Sequence, residues 1–223
     1  MAKKKITTLE QALKAVKKDW EELENVPEAL MTPELCLAAV QQDGRALEVV
    51  PEVLKTPEIC LAAVQENGLM IRDVPEALRT YEVCLAAVQN SGIVFKAVPE
   101  THRTPELCLA AVKTEGLVLK HVPEALITAE LCLAAVQQSG VMLEYVPKAL
   151  KTKGPQALEL CLAAVQQKGG ALKFVPKTLI TKGPQALELC LAAVQQNADA
   201  LEYVPEALQA EVKAALKKGK GKK

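Results

Sequence analysis

The sequence predicts an all-α solenoid, a superhelix of about eight helical repeats of 24–29 residues. The string Cys-Leu-Ala-Ala-Val recurs seven times, spaced by 24 residues in the first four intervals and by 29 in the last two. A fixed period in this range is typical of stacked repeats, in which each unit buries its apolar face against its neighbours. The recurring cysteines are Cys36, Cys60, Cys84, Cys108, Cys132, Cys161 and Cys190.

The first half of the repeat at residues 32–55 predicts an α-helix that begins after Thr32 and contains the largely apolar run 35–42. Thr32 is a favourable N-cap and Pro33 suits the first helical position. Gly44 stands where a C-terminal stop is expected. A helix of about 11 residues is roughly 16 Å long and too short to be stable alone. We therefore expect stacking between repeats to hold it.

The second half of the same repeat contains Pro51, which cannot donate an amide to a continuous helix. We predict short helical or 3₁₀ turns over residues 46–49 and 51–54. The alternative is a second full α-helix that bends at the proline. The side chains expected in the core are Leu47, Val50 and Leu54. His102 takes the position of Leu54 in a later repeat, and we interpret it as divergence at a core position.

The repeat frame divides the chain into five segments. Two inserts, at 153–157 and 182–186, share the sequence Lys-Gly-Pro-Gln-Ala. Each should lengthen its helix by about one turn, with proline at the new start. The predicted segments are a basic N-terminal segment (1–7), a divergent N-terminal capping repeat (8–31), a seven-repeat solenoid (32–208), a C-terminal capping helix (209–218) and a disordered basic tail (219–223).

Charge and cysteine usage restrict the classes of partner and compartment. The chain has 27 basic and 27 acidic residues, but its two ends are rich in lysine and its body is acidic. An acidic body disfavours general nucleic-acid binding, which needs a continuous basic face. No apolar run reaches the roughly 18 residues of a membrane span, and residues 1–5 do not begin a secretory signal. An odd number of dispersed cysteines indicates a reducing, cytoplasmic setting with no membrane partner.

The repeats resemble a family of uncharacterised repeats classed as a domain of unknown function. The resemblance rests on Thr-Pro-Glu-Ile-Cys-Leu-Ala-Ala-Val-Gln at 56–65 and Val-Pro-Glu-Ala-Leu at 74–78, and it covers about residues 32–208. The first repeat, the inserts and Thr101-His102 depart from the family pattern. The layout is also similar to leucine-rich-variant repeats, which alternate an α-helix with a 3₁₀ helix in a right-handed superhelix. Neither resemblance implies an activity or catalytic residues.

The cysteines and histidines predict neither a metal site nor a catalytic site. Equivalent residues of stacked helices lie about 8–10 Å apart. A disulfide needs Cα atoms within about 7 Å, and zinc needs four convergent ligands. His102 and His121 are the only histidines, and no nucleotide-binding or hydrolase motif occurs. We predict no enzymatic activity, no catalytic residue, no metal, no cofactor and no small-molecule substrate.

The residues that vary within the fixed unit are the candidates for recognition. The residue before each Val-Pro changes from polar or small to aromatic along the chain. Aromatic side chains are common anchors in protein interfaces, although these rings could instead fill gaps beside the inserts. The predicted function is a non-enzymatic protein–protein interaction scaffold or adaptor, a subunit of a larger assembly, that binds a protein partner through one solenoid face. The predicted partner-binding residues are Asp73, His121, Tyr145, Phe174 and Tyr203.

Two further variable regions are predicted to have other roles. The polar residues before each glycine, such as Gln42, are predicted to be solvated helix ends. The lysine-rich C-terminus supports an alternative function, in which a nucleic-acid-associated protein contacts phosphates through its ends. The lysines expected to make those contacts are Lys217, Lys218, Lys220, Lys222 and Lys223.

Overall fold

A computed structural model describes residues 6–152 and 154–220, the side chains of residues 219 and 220 excepted. The described residues form helices and contain no β-strand, which confirms the predicted all-α repeat class. The α-helices are α1 (Leu9–Val16), α2 (Pro33–Val40), α3 (Pro57–Glu66), α4 (Tyr81–Asn90), α5 (Pro105–Thr114), α6 (Ala129–Gln138), α7 (Lys148–Thr152), α8 (Pro155–Gln167), α9 (Lys177–Ile180), α10 (Pro184–Gln196) and α11 (Glu206–Lys220).

Each repeat continues from its α-helix into a 3₁₀ helix of five or six residues. These helices are Trp20–Asn25, Gly44–Val49, Gly68–Arg72, Gly92–Ala97, Gly116–His121, Gly140–Tyr145, Gly169–Phe174 and Ala198–Tyr203. In the first five repeats a second 3₁₀ turn follows the proline, as predicted. These turns are Glu28–Leu30, Glu52–Leu54, Glu76–Leu78, Glu100–His102 and Glu124–Leu126. In the last three repeats the segments after the proline are the α-helices α7, α9 and α11, but a 3₁₀ helix still precedes each proline. The alternative prediction, a single α-helix that bends at the proline, does not occur in the described residues.

The long helices begin as their sequence predicts. The hydroxyl of Thr32 accepts a hydrogen bond from the Leu35 amide at 3.3 Å, and Thr56 caps α3 in the same way. Helix α2 begins at Pro33, the predicted first helical position, and ends at Val40, two residues before the expected Gln42. Its buried residues are Leu35, Cys36, Ala39 and Val40, and the same positions are buried in the later repeats.

The chain forms two compact units, Met1–Thr114 and Glu115–Lys223. In the N-terminal unit, α2 packs on α3, α3 on α4 and α4 on α5, and each 3₁₀ helix also contacts the α-helix of the next repeat. In the C-terminal unit, α6, α8 and α10 stack in turn, with α11 against α10. Each unit therefore has a core shared along the stack, as repeats that cannot fold alone require.

The glycine after each α-helix has a different role from the one predicted. Gly44 begins a 3₁₀ helix and does not have the positive φ of a helix-ending glycine. A Cβ atom on Gly44 would lie 2.5 Å from the Ala63 carbonyl oxygen of the next repeat, and one on Gly68 would lie equally close to the Ala87 oxygen. The prediction of a helix stop was wrong, because glycine here allows close approach of the following helix.

The polar residues before these glycines join adjacent repeats. The amide N–H of Gly140 donates to Gln167 Oε1 at 2.7 Å, and Gln167 Nε2 donates to the Gln138 carbonyl at 3.0 Å. Asn90 makes the same pair of bonds in the N-terminal unit, to Gly68 and Gln65. Gln167 and Asn90 are exposed helix ends, as predicted, but they also bond to the preceding repeat, which the prediction did not include. We call this arrangement the amide bridge.

The inserts behave as predicted, and both α8 and α10 have 13 residues against 10 in α3–α6. The second residue of each insert is a glycine at positive φ, 84° at Gly154 and 94° at Gly183, a conformation that other residues adopt only with strain. Proline occupies the first turn that follows, at Pro155 and Pro184.

Three expected features differ in detail. Leu47 and Val50 are buried, but Leu54 is half-buried, as is His102 at the equivalent position. His102 therefore does not occupy a fully buried core position, and a polar ring is tolerated there. The helix predicted over 209–218 runs from Glu206 to Lys220, so residues 219 and 220 continue it. Residues 1–5 and 221–223 of the predicted basic ends lie outside the described residues.

Candidate protein-interaction surfaces

The 3₁₀ helices each expose one row of side chains. With three residues per turn, residues i and i+3 of such a helix point the same way. In Gly92–Ala97, Val94 and Phe95 are buried while Ile93 and Lys96 face solvent. In each unit, the second and fifth positions of the 3₁₀ helices therefore form an outer face.

Large aliphatic side chains occupy this outer face in three repeats. Leu69 and Ile93 in the N-terminal unit are 37% and 55% exposed, and Leu117 in the C-terminal unit is 47% exposed. Val141 takes this position in Gly140–Tyr145 but is half-buried, and the remaining repeats have charged or small residues there, including Arg45, Gly170 and Asp199. We call Leu69 and Ile93, on two 3₁₀ helices that pack together, the aliphatic row.

Sequence reasoning missed the aliphatic row. The signal was available, because Leu69 and Ile93 follow the glycine directly and that position varies between repeats. Recognising it required a period of three rather than 3.6, since the second position is exposed only in a 3₁₀ helix.

The predicted partner-binding residues lie at the end of the 3₁₀ helices, next to the outer face. Tyr145 is 44% exposed, whereas Asp73, His121, Phe174 and Tyr203 are half-buried. Tyr145, Phe174 and Tyr203 come together on successive packed helices of the C-terminal unit, and Asp73 belongs to the other unit. Their role in binding stays a prediction.

Two of these aromatic side chains contact a neighbouring charged residue. The Lys173 ammonium lies 4.7 Å from the centre of the Phe174 ring. A hydrogen bond between Tyr203 and Glu202 raises the pKa of the Tyr203 hydroxyl. Two of the five predicted partner-binding side chains therefore already contact charged neighbours on the surface.

The α-helices form a second face, and its grooves are lined by acidic side chains. A groove of about 370 Å³ lies between α6 and α8, and another of about 450 Å³ lies between α8 and α10. They share Leu162 and Gln166, and each is lined by an exposed glutamate, Glu159 or Glu188. In the N-terminal unit, Glu34 and Glu58 line a groove between α2 and α3. The α-helical face is therefore apolar and acidic.

The seven cysteines are buried in the helical core. Burial raises the pKa of every thiol, and the value is about 11 for Cys84, Cys132, Cys161 and Cys190. Such thiols stay protonated at neutral pH and are poor nucleophiles. Within the described residues, no cluster of His, Cys, Asp and Glu side chains could hold a metal ion.

The lysines predicted to contact nucleic acid are only partly described. Lys217 and Lys218 are exposed near the end of α11. Lys220 ends that helix, but its side chain, Lys222 and Lys223 lie outside the described residues. Contact with phosphates stays a prediction. None of the helices described in residues 6–152 and 154–220 has the length and hydrophobicity to cross a bilayer.

Comparison with known families identifies the repeats. The family model for DUF4116, a domain of unknown function, matches residues 56–103, 104–151 and 158–209. Each match covers two of the repeats described above, and the first begins one repeat later than the expected start at residue 32. No curated protein and no solved structure matches the chain. On these three tandem matches, which cover more than half of its length, the chain belongs to the DUF4116 family.

Proposed function

We propose that this chain is a non-enzymatic protein-interaction scaffold, acting as an adaptor or subunit of a larger assembly. The observation that carries the proposal is the aliphatic row. Single exposed apolar side chains are common on protein surfaces and need no explanation. Leu69 and Ile93 differ because they occupy the same position in two stacked repeats, which makes a continuous surface available to a partner.

The burial of the residues next to the aliphatic row supports a binding role for this face. The neighbouring residues Met70 and Val94 are buried, so the row is not needed to fill the core. Replacing Leu69 or Ile93 should therefore change what the surface binds without removing core contacts. The α-helical grooves and the aromatic residues around Tyr145 offer further surface on the same scaffold.

Affinity capture with matched variants tests the proposal. The full chain, a Leu69→Ser/Ile93→Ser variant and a Val53→Ser variant would each be used as bait, with quantitative mass spectrometry of the bound proteins. Val53 is the control, because it is 91% exposed but lies outside the row in the Glu52–Leu54 turn. We expect the double variant to lose a partner that the Val53→Ser variant retains. Equal recovery by all three baits would contradict the proposal.

A further inference from the structure

The charge beside the aliphatic row indicates the chemistry of its partner, an inference that rests on the proposed function. Residues three apart in a 3₁₀ helix are aligned, so Arg72 lies beside Leu69 and Lys96 beside Ile93. Both cations are exposed. The surface therefore combines an aliphatic and a basic side chain in each of two adjacent repeats.

These cations are available to a partner. Within the described residues, neither Arg72 nor Lys96 forms an ion pair. The preceding repeat differs, since Arg45 pairs with Asp43 at 2.6 Å and Glu48 occupies the position equivalent to Arg72. The unpaired positive charge thus coincides with the aliphatic row and is absent from the repeat before it.

We propose that the aliphatic row and its two cations bind an acidic protein segment that has aliphatic side chains at every third residue. Packed helices lie about 8–10 Å apart. Three residues of a polyproline II helix rise about 9 Å, and its side chains repeat every three residues. In a β-strand, side chains three apart point to opposite faces. An acidic segment in the polyproline II conformation therefore matches both the spacing and the charge of this surface.

The α-helical face of the same unit would not accept this segment. Glu34, Glu58, Glu82 and Glu106 are exposed there in successive repeats. Like charges across an interface suppress binding. Arg72 and Lys96 carry the opposite charge, which directs an acidic partner to the 3₁₀ helices of their two repeats.

A random peptide library displayed on phage, twelve residues long and panned against the full chain, tests this inference. We expect enrichment of peptides with Asp or Glu between Leu, Ile or Val residues spaced by three. A synthetic peptide of the enriched sequence should bind at least about tenfold more weakly to an Arg72→Glu/Lys96→Glu variant. Its binding should also weaken when salt rises from about 50 to 300 mM, because screening acts on exposed charges. A Lys173→Glu variant is the control, since its cation lies beside Gly170 rather than an aliphatic residue.

The outcomes separate this inference from the proposed function. Loss of peptide binding in Leu69→Ser/Ile93→Ser, with no effect of charge reversal or salt, would keep the binding surface and overturn the acidic partner. Enrichment of basic or uncharged peptides would overturn it as well. If the double serine variant captured the same peptides as the unaltered chain, both proposals would fall. Circular dichroism verifies folding, and Arg72→Gln/Lys96→Gln replaces the charge reversal if that variant does not fold.

Discussion

The two units use the same repeat but differ in how tightly neighbouring repeats are joined. In the C-terminal unit, Gln138, Gln167 and Gln196 each accept the amide of the glycine in the preceding repeat. In the N-terminal unit, Asn90 does so and Gln42 donates to the Lys17 carbonyl of the first repeat, but Glu66 and Thr114 stand at the equivalent position of the other two repeats. A carboxylate has no N–H to donate, and Thr114 turns its hydroxyl to Ala110 in its own helix.

The difference extends to the segment after the proline. It is a 3₁₀ turn in the repeats of the N-terminal unit and an α-helix in the last three repeats of the chain, two of which follow an insert-containing helix. The aliphatic row belongs to the N-terminal unit, whereas Tyr145, Phe174 and Tyr203 belong to the C-terminal one. One repeat can therefore vary its bridges and its outer face separately while its core stays the same.

The largest expected effect comes from blocking the close approach between repeats. In Gly169→Ala the new methyl group would overlap the Ala193 carbonyl oxygen, so we expect the free energy of unfolding to fall by about 2–3 kcal/mol. In Gly170→Ala the methyl group meets no atom within 4 Å, and we expect a change below about 0.5 kcal/mol. Urea unfolding of the full chain measures both, and equal effects from the two alanines would contradict the packing role.

Removing an amide bridge from the C-terminal unit should have the next largest effect. Gln167→Ala leaves the buried Gly140 without its side-chain acceptor, and we expect a loss of about 1–2 kcal/mol. Gln166→Ala is the matched control, because Gln166 precedes it on the same helix and lines the surface groove. A loss in the control as large as in Gln167→Ala would show that helix propensity, not the bridge, is responsible.

Adding a bridge to the N-terminal unit should have the smaller, opposite effect. Glu66→Gln supplies the N–H and carbonyl groups that Gln167 uses, opposite Gly44 in the preceding repeat. We expect stabilisation by about 0.5–1 kcal/mol in thermal or urea unfolding. Glu66→Ala controls for removal of the charge, and equal stabilisation by both substitutions would attribute the gain to charge alone.

Alkaline pH should weaken both units through their buried thiols. Burial raises the pKa of Cys132 and Cys161 to about 11, whereas an unfolded cysteine ionises near pH 8.5. The folded chain then binds more protons than the unfolded chain, so this stabilisation is complete below about pH 8.5 and is lost as pH rises toward 11. Urea unfolding at several pH values measures this loss. The free energy of unfolding should fall less steeply with rising pH in Cys161→Ala than in the unaltered chain. An unchanged slope in that variant would contradict the assignment.

Features that depend on one repeat alone were predictable from the sequence. The period, the Thr32 cap, the short turns around Pro51 and the longer insert helices all follow from local propensities. Features that depend on two repeats were not. The space beside Gly44 and the bond from Gln167 to Gly140 exist only when the next helix is in place. The exposure of Ile93 required knowing the 3₁₀ register, which sequence periodicity over six residues does not establish.

Site-specific photo-crosslinking tests whether a partner binds the 3₁₀ face, because it identifies the face that the partner contacts. A benzophenone amino acid would replace Ile93 on the outer 3₁₀ face in one variant and Glu58 on the α-helical face in another, both exposed positions of the N-terminal unit. After irradiation in cells, the account predicts a discrete protein adduct from position 93 and none from position 58. An adduct from position 58 alone would contradict the account and assign binding to the acidic α-helical face.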